Sequence, residues 1–295
     1  MASARRWKGW LKSVPAVERI VEYRRIRHGL TTERALLEGT HKTTCQHPSI
    51  LFFSFNKAAT QYVESILKQC SKRSGLTPVN FEKLSFNTDF PYLGDLSAEA
   101  MAPYQQLFRP QGYLYCPFSK MVEGIPDLDS YQIVLMTRDP RDLLVSLYFS
   151  VAFSHSLPPR DSVLYPYFCQ MRQRSQEMSV DEFALEMCDH IGDKFRRYRD
   201  ALCGKEAVHL TSYELMTSDF PHWLTGLLEH CELDVSESTL ARIVSAHHKS
   251  RPATEQADQH VRKGRPGDHQ EKLSEATIAE LNERLGDVLS EFGYC

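Results

Sequence analysis

The sequence predicts an α/β protein in which a central parallel sheet is flanked by helices. Two segments carry this prediction, at residues 50–70 and 132–151, because in each a short apolar run leads directly into a pattern with helical spacing. Buried parallel strands are short and continuously apolar, whereas apolar residues at every third or fourth position indicate an amphipathic helix. From about residue 46 onward strands and helices alternate, and this order is typical of a parallel sheet.

The first segment is an apolar strand at residues 50–55, followed by a helix with apolar residues at positions 62, 63, 66, 67 and 70. The first N–H groups of a helix lack internal partners, and the helix dipole adds partial positive charge at the same point. A cation, two small residues and a hydroxyl occupy the turn, so we expect it to bind phosphate or sulfate. The residues of this turn and of the helix start are Lys57, Ala58, Ala59, Thr60, Gln61 and Tyr62.

The second segment repeats this arrangement. After the apolar run at residues 133–136, Asp139 is a good N-cap, and Pro140 stands at the first helical position, where its missing N–H costs nothing. Arg138 follows the strand, at the edge where open α/β sheets bind ligands, and Ser146 lies about two turns into the helix. Arg138 is therefore a candidate ligand contact, with a surface ion pair as the alternative.

A third segment, residues 261–269, is a basic loop ahead of the last predicted helix. Arg262, Lys263 and Arg265 place three cations in four residues, with Gly264 between them. Such a loop suits backbone and side-chain contact with a phosphate group, and it is equally typical of a solvated surface loop.

In their order and spacing, these segments resemble the motifs of the sulfotransferase family whose donor is 3′-phosphoadenosine 5′-phosphosulfate (PAPS). The donor loop of that family corresponds to residues 56–62 here, and its second motif is matched by Arg138, Pro140, Asp142 and Ser146. Its third motif appears as residues 262–268, with His269 in place of a tryptophan. The resemblance runs from about residue 48 to the end, and it implies a fold like that of the P-loop NTPases.

The resemblance also implies roles for these residues. Backbone N–H groups of residues 58–61, with the Thr60 and Gln61 side chains, would hold the 5′-phosphate. Lys57 would contact the bridging oxygen and stabilise the negative charge that develops on it. Tyr62 and Tyr213 would flank the adenine. The scheme requires no metal. The residues implied to clamp the 3′-phosphate are Arg138, Ser146, Arg262 and Lys263, with Gly264 beside them.

The general base is the main departure from the family pattern, because no histidine lies between His47 and His155, where cytosolic members carry one. Glycan-modifying relatives use a glutamate about two dozen residues after the loop lysine, and Glu82 falls in that window. Glu82 is therefore the candidate base, and a surface glutamate is the alternative. Glu64 is nearer the loop, but a helical ion pair with Lys68 is its simpler use. His155 is a third candidate if its loop folds over the pocket.

The expected activity is transfer of a sulfuryl group from PAPS to a hydroxyl or amine of a small, partly apolar acceptor, with release of adenosine 3′,5′-bisphosphate (PAP). Aromatic residues in the segments that would line the acceptor pocket favour such an acceptor, although many of them could be core. Three alternatives stay open: a glycan or lipid sulfotransferase with a glutamate base, a P-loop kinase, and a non-catalytic module that binds PAP. The chain lacks the second glycine that a nucleotide P-loop requires.

Composition fits a cytoplasmic enzyme. With 295 residues, of which 42% are hydrophobic and 25% charged, the chain can bury one large core, and its net charge of -3 disfavours general nucleic-acid binding. The eight cysteines include no C-x-x-C pair, and the sequence has no secretory signal and no apolar run of about 18 residues. These features predict a reducing compartment. Oligomeric state cannot be predicted, because the dimerisation segment of cytosolic relatives is not matched.

Two parts are expected along the chain: a basic, helical arm at residues 1–45 and the catalytic domain at residues 46–295. The arm is expected to pack on the domain, and an anionic membrane surface is the alternative. A capping box at Ser179 and Glu182 predicts one helix start, and Ser274 is expected to begin a final helix that runs to Phe292. The segment 153–178 contains three prolines and is predicted to be an irregular lid over the substrate.

Overall fold

A computed structural model describes residues 29–155, 157, 158, 160, 162, 164–249 and 264–295, with the side chains of residues 248 and 249 excepted. In these ranges five strands form one sheet in the order β2-β3-β1-β4-β5, and every pairing is parallel. Helices flank this sheet, so the predicted fold class is confirmed. The strands are β1 Ile50–Ser54, β2 Thr77–Val79, β3 Tyr113–Phe118, β4 Gln132–Thr137 and β5 Val208–Ser212.

The helices are short apart from α7, the longest of the described chain. Four further short segments are helical: 3₁₀ helices at Leu93–Asp95, Ala102–Leu107 and Leu128–Ser130, and a π turn at Ser150–Ser154. The α-helices are α1 Thr31–Leu37, α2 Thr60–Cys70, α3 Phe81–Asn87, α4 Ala98–Met101, α5 Pro140–Phe149, α6 Tyr165–Glu177, α7 Val180–Leu202, α8 Tyr213–Ser218, α9 Phe220–His230, α10 Glu237–Lys249, α11 Asp268–Lys272, α12 Glu275–Arg284 and α13 Gly286–Glu291.

The strand order places a topological switch point between β1 and β4. From β1 the chain crosses to the β2 edge, whereas from β4 it continues outward to β5. The loops that follow β1 and β4 therefore leave the sheet in opposite directions and open a crevice at its carboxyl edge, which is where open α/β sheets bind ligands. Both loops belong to segments that the sequence predicts to contact an anion.

Helix α7 crosses the carboxyl ends of β1 and β3 and fixes their relative position. The Phe195 ring stacks on Phe55, with 4.0 Å between the ring centroids. The hydroxyl of Tyr198, which is fully buried, lies 3.3 Å from Ser54 O and 3.5 Å from Phe118 O. These contacts order the backbone just before the loop that leads into α2.

Helix α1 falls within the predicted N-terminal arm. Leu30 and Leu36 are buried, and the Glu33 carboxylate accepts a 2.7 Å hydrogen bond from the Asn80 N–H, so this end of the arm packs beside β2 and α3. Residues 1–28 lie outside the described residues, and packing of the arm as a whole stays a prediction. Within the described ranges, every helix is too short or too polar to cross a membrane.

The predicted final helix is wrong in one respect, since two helices replace it. Ser274 caps α12 as expected, but this helix ends at Arg284, and α13 begins at Gly286 after Leu285, whose φ of -108° and ψ of 10° leave the helical region. A glycine is a poor helix former because it loses the most backbone freedom, so the break falls beside it.

The segment 153–178 is also less irregular than predicted, because α6 occupies residues 165–177. Pro166 is the reason for the error: a proline in the first turn of a helix removes an N–H that has no partner there, so it starts the helix rather than breaking it. A lid role for this segment stays a prediction.

The capping box of α7 gives a first testable prediction. Ser179 accepts a hydrogen bond from the Glu182 N–H at 3.2 Å, and the Glu182 carboxylate accepts one from the Ser179 N–H at 2.7 Å. Ser179→Ala removes one of these bonds and should lower the free energy of unfolding by about 1 kcal/mol in urea titrations. The control is Ser290→Ala at an exposed position of α13, which should leave stability unchanged or slightly higher. Equal stability of Ser179→Ala and the wild type would contradict this account.

Candidate active site

The loops after β1 and β4 meet at the switch point. The two strands pair in register, with Ser54 opposite Met136. Just beyond them, Nη1 of Arg138 donates a 2.9 Å hydrogen bond to the carbonyl oxygen of Lys57. The first two segments that the sequence analysis singled out are thus in direct contact.

The loop between β1 and α2 adopts an uncommon backbone path. Lys57 has a φ of 78° and Ala59 a φ of 58°, both in the left-handed region that few residues other than glycine adopt. Ala59 is the N-cap of α2, and its side chain makes no capping hydrogen bond. Intrahelical bonding begins at Tyr62, whose N–H donates to Ala59 O at 2.9 Å. The N–H groups of residues 59–61 precede the first intrahelical bond and make no hydrogen bond to another backbone group of the described chain, as an anion site requires.

Side chains hold this loop closed. Ala58 is fully buried, and its N–H donates to Phe55 O at 3.0 Å. The Thr60 hydroxyl lies 2.9 Å from Phe55 O, to which it donates, and 3.0 Å from Ser54 Oγ. This hydroxyl, which the sequence suggested as an anion contact, is therefore occupied within the loop. Lys57 is half-buried and Gln61 is exposed at the helix start.

Arg138 is the central cation of the site. The residue is only 7% exposed. Its guanidinium carbon lies 4.4 Å from the centroid of the Tyr213 ring, and its Nη2 lies 3.5 Å from Asp142 Oδ2. Its Nε is buried and has no hydrogen-bond partner among the described residues. Buried donors are nearly always satisfied, so an orphaned guanidinium N–H fits an anionic ligand at this point.

Asp142 ties the C-terminal loop to α5. Its fully buried carboxylate accepts hydrogen bonds from the Gly267 N–H at 2.7 Å and the His269 N–H at 2.9 Å, and His269 Nδ1 lies at 2.7 Å. Gly267 has a φ of 87°, which turns the loop into α11. Burial by itself raises the pKa of the Asp142 carboxyl, but the His269 hydrogen bonds and the Arg138 charge lower it to about 2.

The predicted clamp for a 3′-phosphate is described only in part. Ser146 is half-buried on α5, about two turns beyond Arg138, and Gly264 opens the described C-terminal range with a φ of 69°. Arg262 and Lys263 lie outside the described residues, so their contacts stay a prediction. Within the described residues, Asp142 holds the backbone of residues 267–269 against α5.

The two tyrosines predicted to flank adenine have different surroundings. Tyr213 lies beneath Arg138 at the start of α8. The Tyr62 hydroxyl is 2.9 Å from His247 Nδ1, and burial raises the pKa of Tyr62 to about 12. His247 in turn stacks on Phe220, with 3.8 Å between the ring centroids. No local pattern in the sequence indicates this aromatic wall of Tyr62, His247 and Phe220, because α9 and α10 reach α2 only through the fold.

Glu82 lies one strand away from the donor loop. It stands in the first turn of α3, and its carboxylate accepts a hydrogen bond from the N–H of Ser119, the residue after β3. Strand β3 pairs with β1, with Phe118 opposite Phe53. Burial raises the pKa of Glu82, and hydrogen bonds from Ser119 and the charges of Lys194 and Lys120 oppose this. A small cavity beside it is lined by Phe81, Glu82, Tyr92, Leu93, Gly94, Phe118, Ser119 and Lys120.

The other candidate bases are engaged elsewhere. The Glu64 carboxylate pairs with Lys68, as the sequence predicts, and also accepts a 3.0 Å hydrogen bond from Asn80 Nδ2. The His155 ring stacks on Phe168 of α6, with 5.6 Å between the centroids. Of the three carboxyl and imidazole candidates, Glu82 is the one that reaches the carboxyl end of a strand adjacent to β1.

Comparison with known proteins identifies the family. Residues 48–293 match the sulfotransferase domain family, and the chain belongs to it. The comparison with curated proteins gives no match. Within the described ranges, no group of three or more histidine, cysteine, aspartate or glutamate side chains could hold a metal ion.

The solved structures to which the chain is similar include two sulfotransferases and a retinol dehydratase. Mouse sulfotransferase SULT7A1 complexed with PAP is 17% identical, with a TM-score of 0.49 over 86% of this chain and 89% of that one. Retinol dehydratase in a complex with retinol and PAP is 14% identical, with a TM-score of 0.47 over 82% of each chain. Sulfotransferase STF9 from Mycobacterium avium is 13% identical, with a TM-score of 0.47 over 90% of this chain and 81% of that one.

The depressed pKa of Asp142 gives a prediction about acid stability. The pKa of the Asp142 carboxyl is about 2 in the folded state, whereas an ordinary aspartate has a pKa of 3.8. This difference contributes about 2 kcal/mol of stability above pH 4, and the contribution is lost as the pH falls toward 2. Asp142→Asn should therefore be destabilised near pH 6, and its difference from the wild type should narrow between pH 4 and pH 2. Urea unfolding across this range measures the difference. A pH-independent difference would contradict the assignment.

Proposed function

We propose that this chain transfers a sulfuryl group from PAPS to a hydroxyl or amine of a small-molecule acceptor and releases PAP. The observation that carries the proposal is the Arg138 guanidinium, which is buried at the switch point, bonded to the backbone of the β1 loop and left with an unsatisfied Nε. A cation held in this way suits a phosphate that lies beside the loop, and a second phosphate distinguishes PAPS from an ordinary 5′-nucleotide.

The donor set of the site fits PAPS. The N–H groups at the start of α2 and the Lys57 side chain would hold the 5′-phosphosulfate, and Arg138 with Ser146 would hold the 3′-phosphate, joined by Arg262, Lys263 and Gly264. Tyr213 and the wall formed by Tyr62 and His247 would bound the adenine. PAPS would supply the activated sulfuryl group, and the protein would supply the groups that bind the donor, position the acceptor and accept its proton.

Catalysis in this scheme is positioning and charge stabilisation, as in phosphoryl transfer. Lys57 neutralises the negative charge that develops on the bridging oxygen of the leaving group, and the N–H groups at the start of α2 form a preorganised dipolar site. Glu82 takes the proton of the acceptor hydroxyl as that oxygen attacks. Its raised pKa suits this task, because a carboxyl in a desolvated site is a stronger base than one in water.

The acceptor is expected to be partly apolar. Phe149 ends α5, and its ring centroid lies 6.1 Å from that of Phe153. The side chains of Phe153 and Tyr167 are 46% and 58% exposed. Large exposed aromatic side chains favour recognition of an apolar ligand. Phe153 and Tyr167 lie in the segment that the sequence predicts to be a lid.

Calorimetric titration with PAP beside AMP, ADP and ATP, without metal, tests the proposal. We expect PAP to bind with a Kd in the micromolar range and AMP to bind at least about tenfold more weakly, because the 3′-phosphate contacts are lost. Preference for ATP would favour the kinase, and absence of PAP binding would overturn the proposal. Tight PAP binding without turnover in an acceptor screen would leave a non-catalytic PAP-binding module.

Two variants separate donor binding from transfer. Arg138→Ala should raise the Kd for PAP by about ten- to a hundredfold, since it removes charge-assisted hydrogen bonds to a phosphate. Lys57→Ala should abolish transfer while it retains much of the PAP affinity, because its charge is needed most when the leaving group departs. The matched control is Lys205→Ala. Lys205 is exposed and precedes β5, so it lies at the amino ends of the strands, away from the carboxyl ends that carry the site. Unchanged kinetics in either site variant would contradict these roles.

A further inference from the structure

The segment after α13 reaches both loops of the candidate site, although it lies outside the three segments that the sequence predicts to bind the donor. The Phe292 ring packs edge to face on Phe195, with 5.0 Å between the centroids, and Phe195 stacks on Phe55, the residue after β1. The Tyr294 hydroxyl lies 2.8 Å from Oγ1 of Thr137, the last residue of β4. One short segment is therefore linked to the start of the β1 loop through aromatic rings and to the end of β4 directly.

The turn at Gly293 determines the path of the chain at Tyr294. Gly293 has a φ of 74°, in the left-handed region. Its N–H donates to Ser290 O at 3.4 Å, and the Tyr294 N–H donates to Leu289 O at 2.7 Å. These two bonds form a Schellman motif, a common end of a helix at a glycine. The end of α13 thus fixes the backbone of Tyr294 independently of the loop that its side chain contacts.

The Tyr294 hydroxyl is the donor in its bond with Thr137. The Thr137 hydroxyl has a single hydrogen, which it donates to Thr211 O at 3.1 Å, so it accepts from Tyr294. Burial raises the pKa of Tyr294, and the phenol therefore keeps its proton. Thr137 is buried, so loss of this donor would leave its hydroxyl with one partner fewer and no access to water.

A second contact of Tyr294 holds the other side of Arg138. Nη2 of Arg141 donates to Tyr294 O at 2.8 Å and to Asp139 Oδ2 at 2.7 Å. Asp139 also accepts a 2.9 Å hydrogen bond from the Arg141 N–H and so caps α5. Tyr294 is thus bonded directly to the residue before Arg138 and, through Arg141, to the residue after it.

Arg138 can bind an anion only if its guanidinium is correctly placed. Nη1 is bonded to Lys57 O and the guanidinium lies over the Tyr213 ring, so that Nε is left without a partner among the described residues. A guanidinium pairs with phosphate through N–H groups in a rigid planar fork, and a small shift of the backbone would misdirect them. The residues on both sides of Arg138 must therefore be held.

We propose that Tyr294 is a positioning residue for donor binding: it fixes the backbone on both sides of Arg138, so that the guanidinium meets the 3′-phosphate of PAPS. The inference rests on the proposed function, in which Arg138 binds that phosphate. Tyr294 acts through Arg138 and need not touch the donor.

Titration of Tyr294→Phe with PAP and with AMP tests the inference. AMP lacks the 3′-phosphate, so only PAP binding should depend on the placement of Arg138. Tyr294→Phe removes one hydroxyl and should raise the Kd for PAP by about three- to tenfold, while the Kd for AMP stays within about twofold of the wild type, which also shows that the variant is folded. The matched control is Tyr104→Phe, which removes the same group from the 3₁₀ helix between α4 and β3 and should change neither Kd.

A double-mutant cycle shows whether Tyr294 acts through Arg138. In the Arg138→Ala background, Tyr294→Phe should cause no further loss of PAP affinity, because the guanidinium that it positions is gone. Independent losses in the double variant, or equal weakening of PAP and AMP in Tyr294→Phe, would reveal a purely structural role and overturn the inference.

The wild type separates this inference from the proposed function. If the wild type binds PAP and Tyr294→Phe binds it equally well, the role of Tyr294 is overturned and the proposed function stands. A wild type that does not bind PAP would overturn the proposed function and this inference together.

Discussion

The position of Arg138 is the constraint on which the rest of the site depends. Its guanidinium bonds the backbone of the β1 loop, lies over the Tyr213 ring and faces Asp142. Asp142 in turn holds the backbone of residues 267–269. One buried cation thus joins the loops after β1 and β4, the start of α8 and the C-terminal segment, elements that are far apart in the chain and meet only at the switch point.

A second network links α2, which begins at the β1 loop, to α3, which carries Glu82. Asn80 caps α3, which carries Glu82, by accepting a hydrogen bond from the Lys83 N–H at 2.7 Å. Its side-chain amide donates to Glu64 on α2, and its N–H donates to Glu33 on α1. The helix that begins at the donor loop and the helix that bears the proposed base are therefore held through one polar residue. Because these groups are largely buried, loss of one partner would leave another unsatisfied.

Local chemistry explains which features could be predicted from the sequence. The caps at Asp139 and Ser179 depend on residues within one turn, and the apolar strands depend on their own composition, so these were correct. The contact of Asp142 with His269 spans 127 positions, so it has no local signal in the sequence. The break at Leu285 was missed because the apolar stripe continues through it.

Amide hydrogen exchange with and without PAP tests the central claim most directly. If the N–H groups at the start of α2 and the buried Arg138 together hold the two phosphates of the donor, PAP should slow exchange at residues 58–61 and in the loop around Gly267 and His269, which Asp142 joins to α5. The amino ends of the strands should show little change. Protection elsewhere with residues 58–61 unaffected would contradict the account.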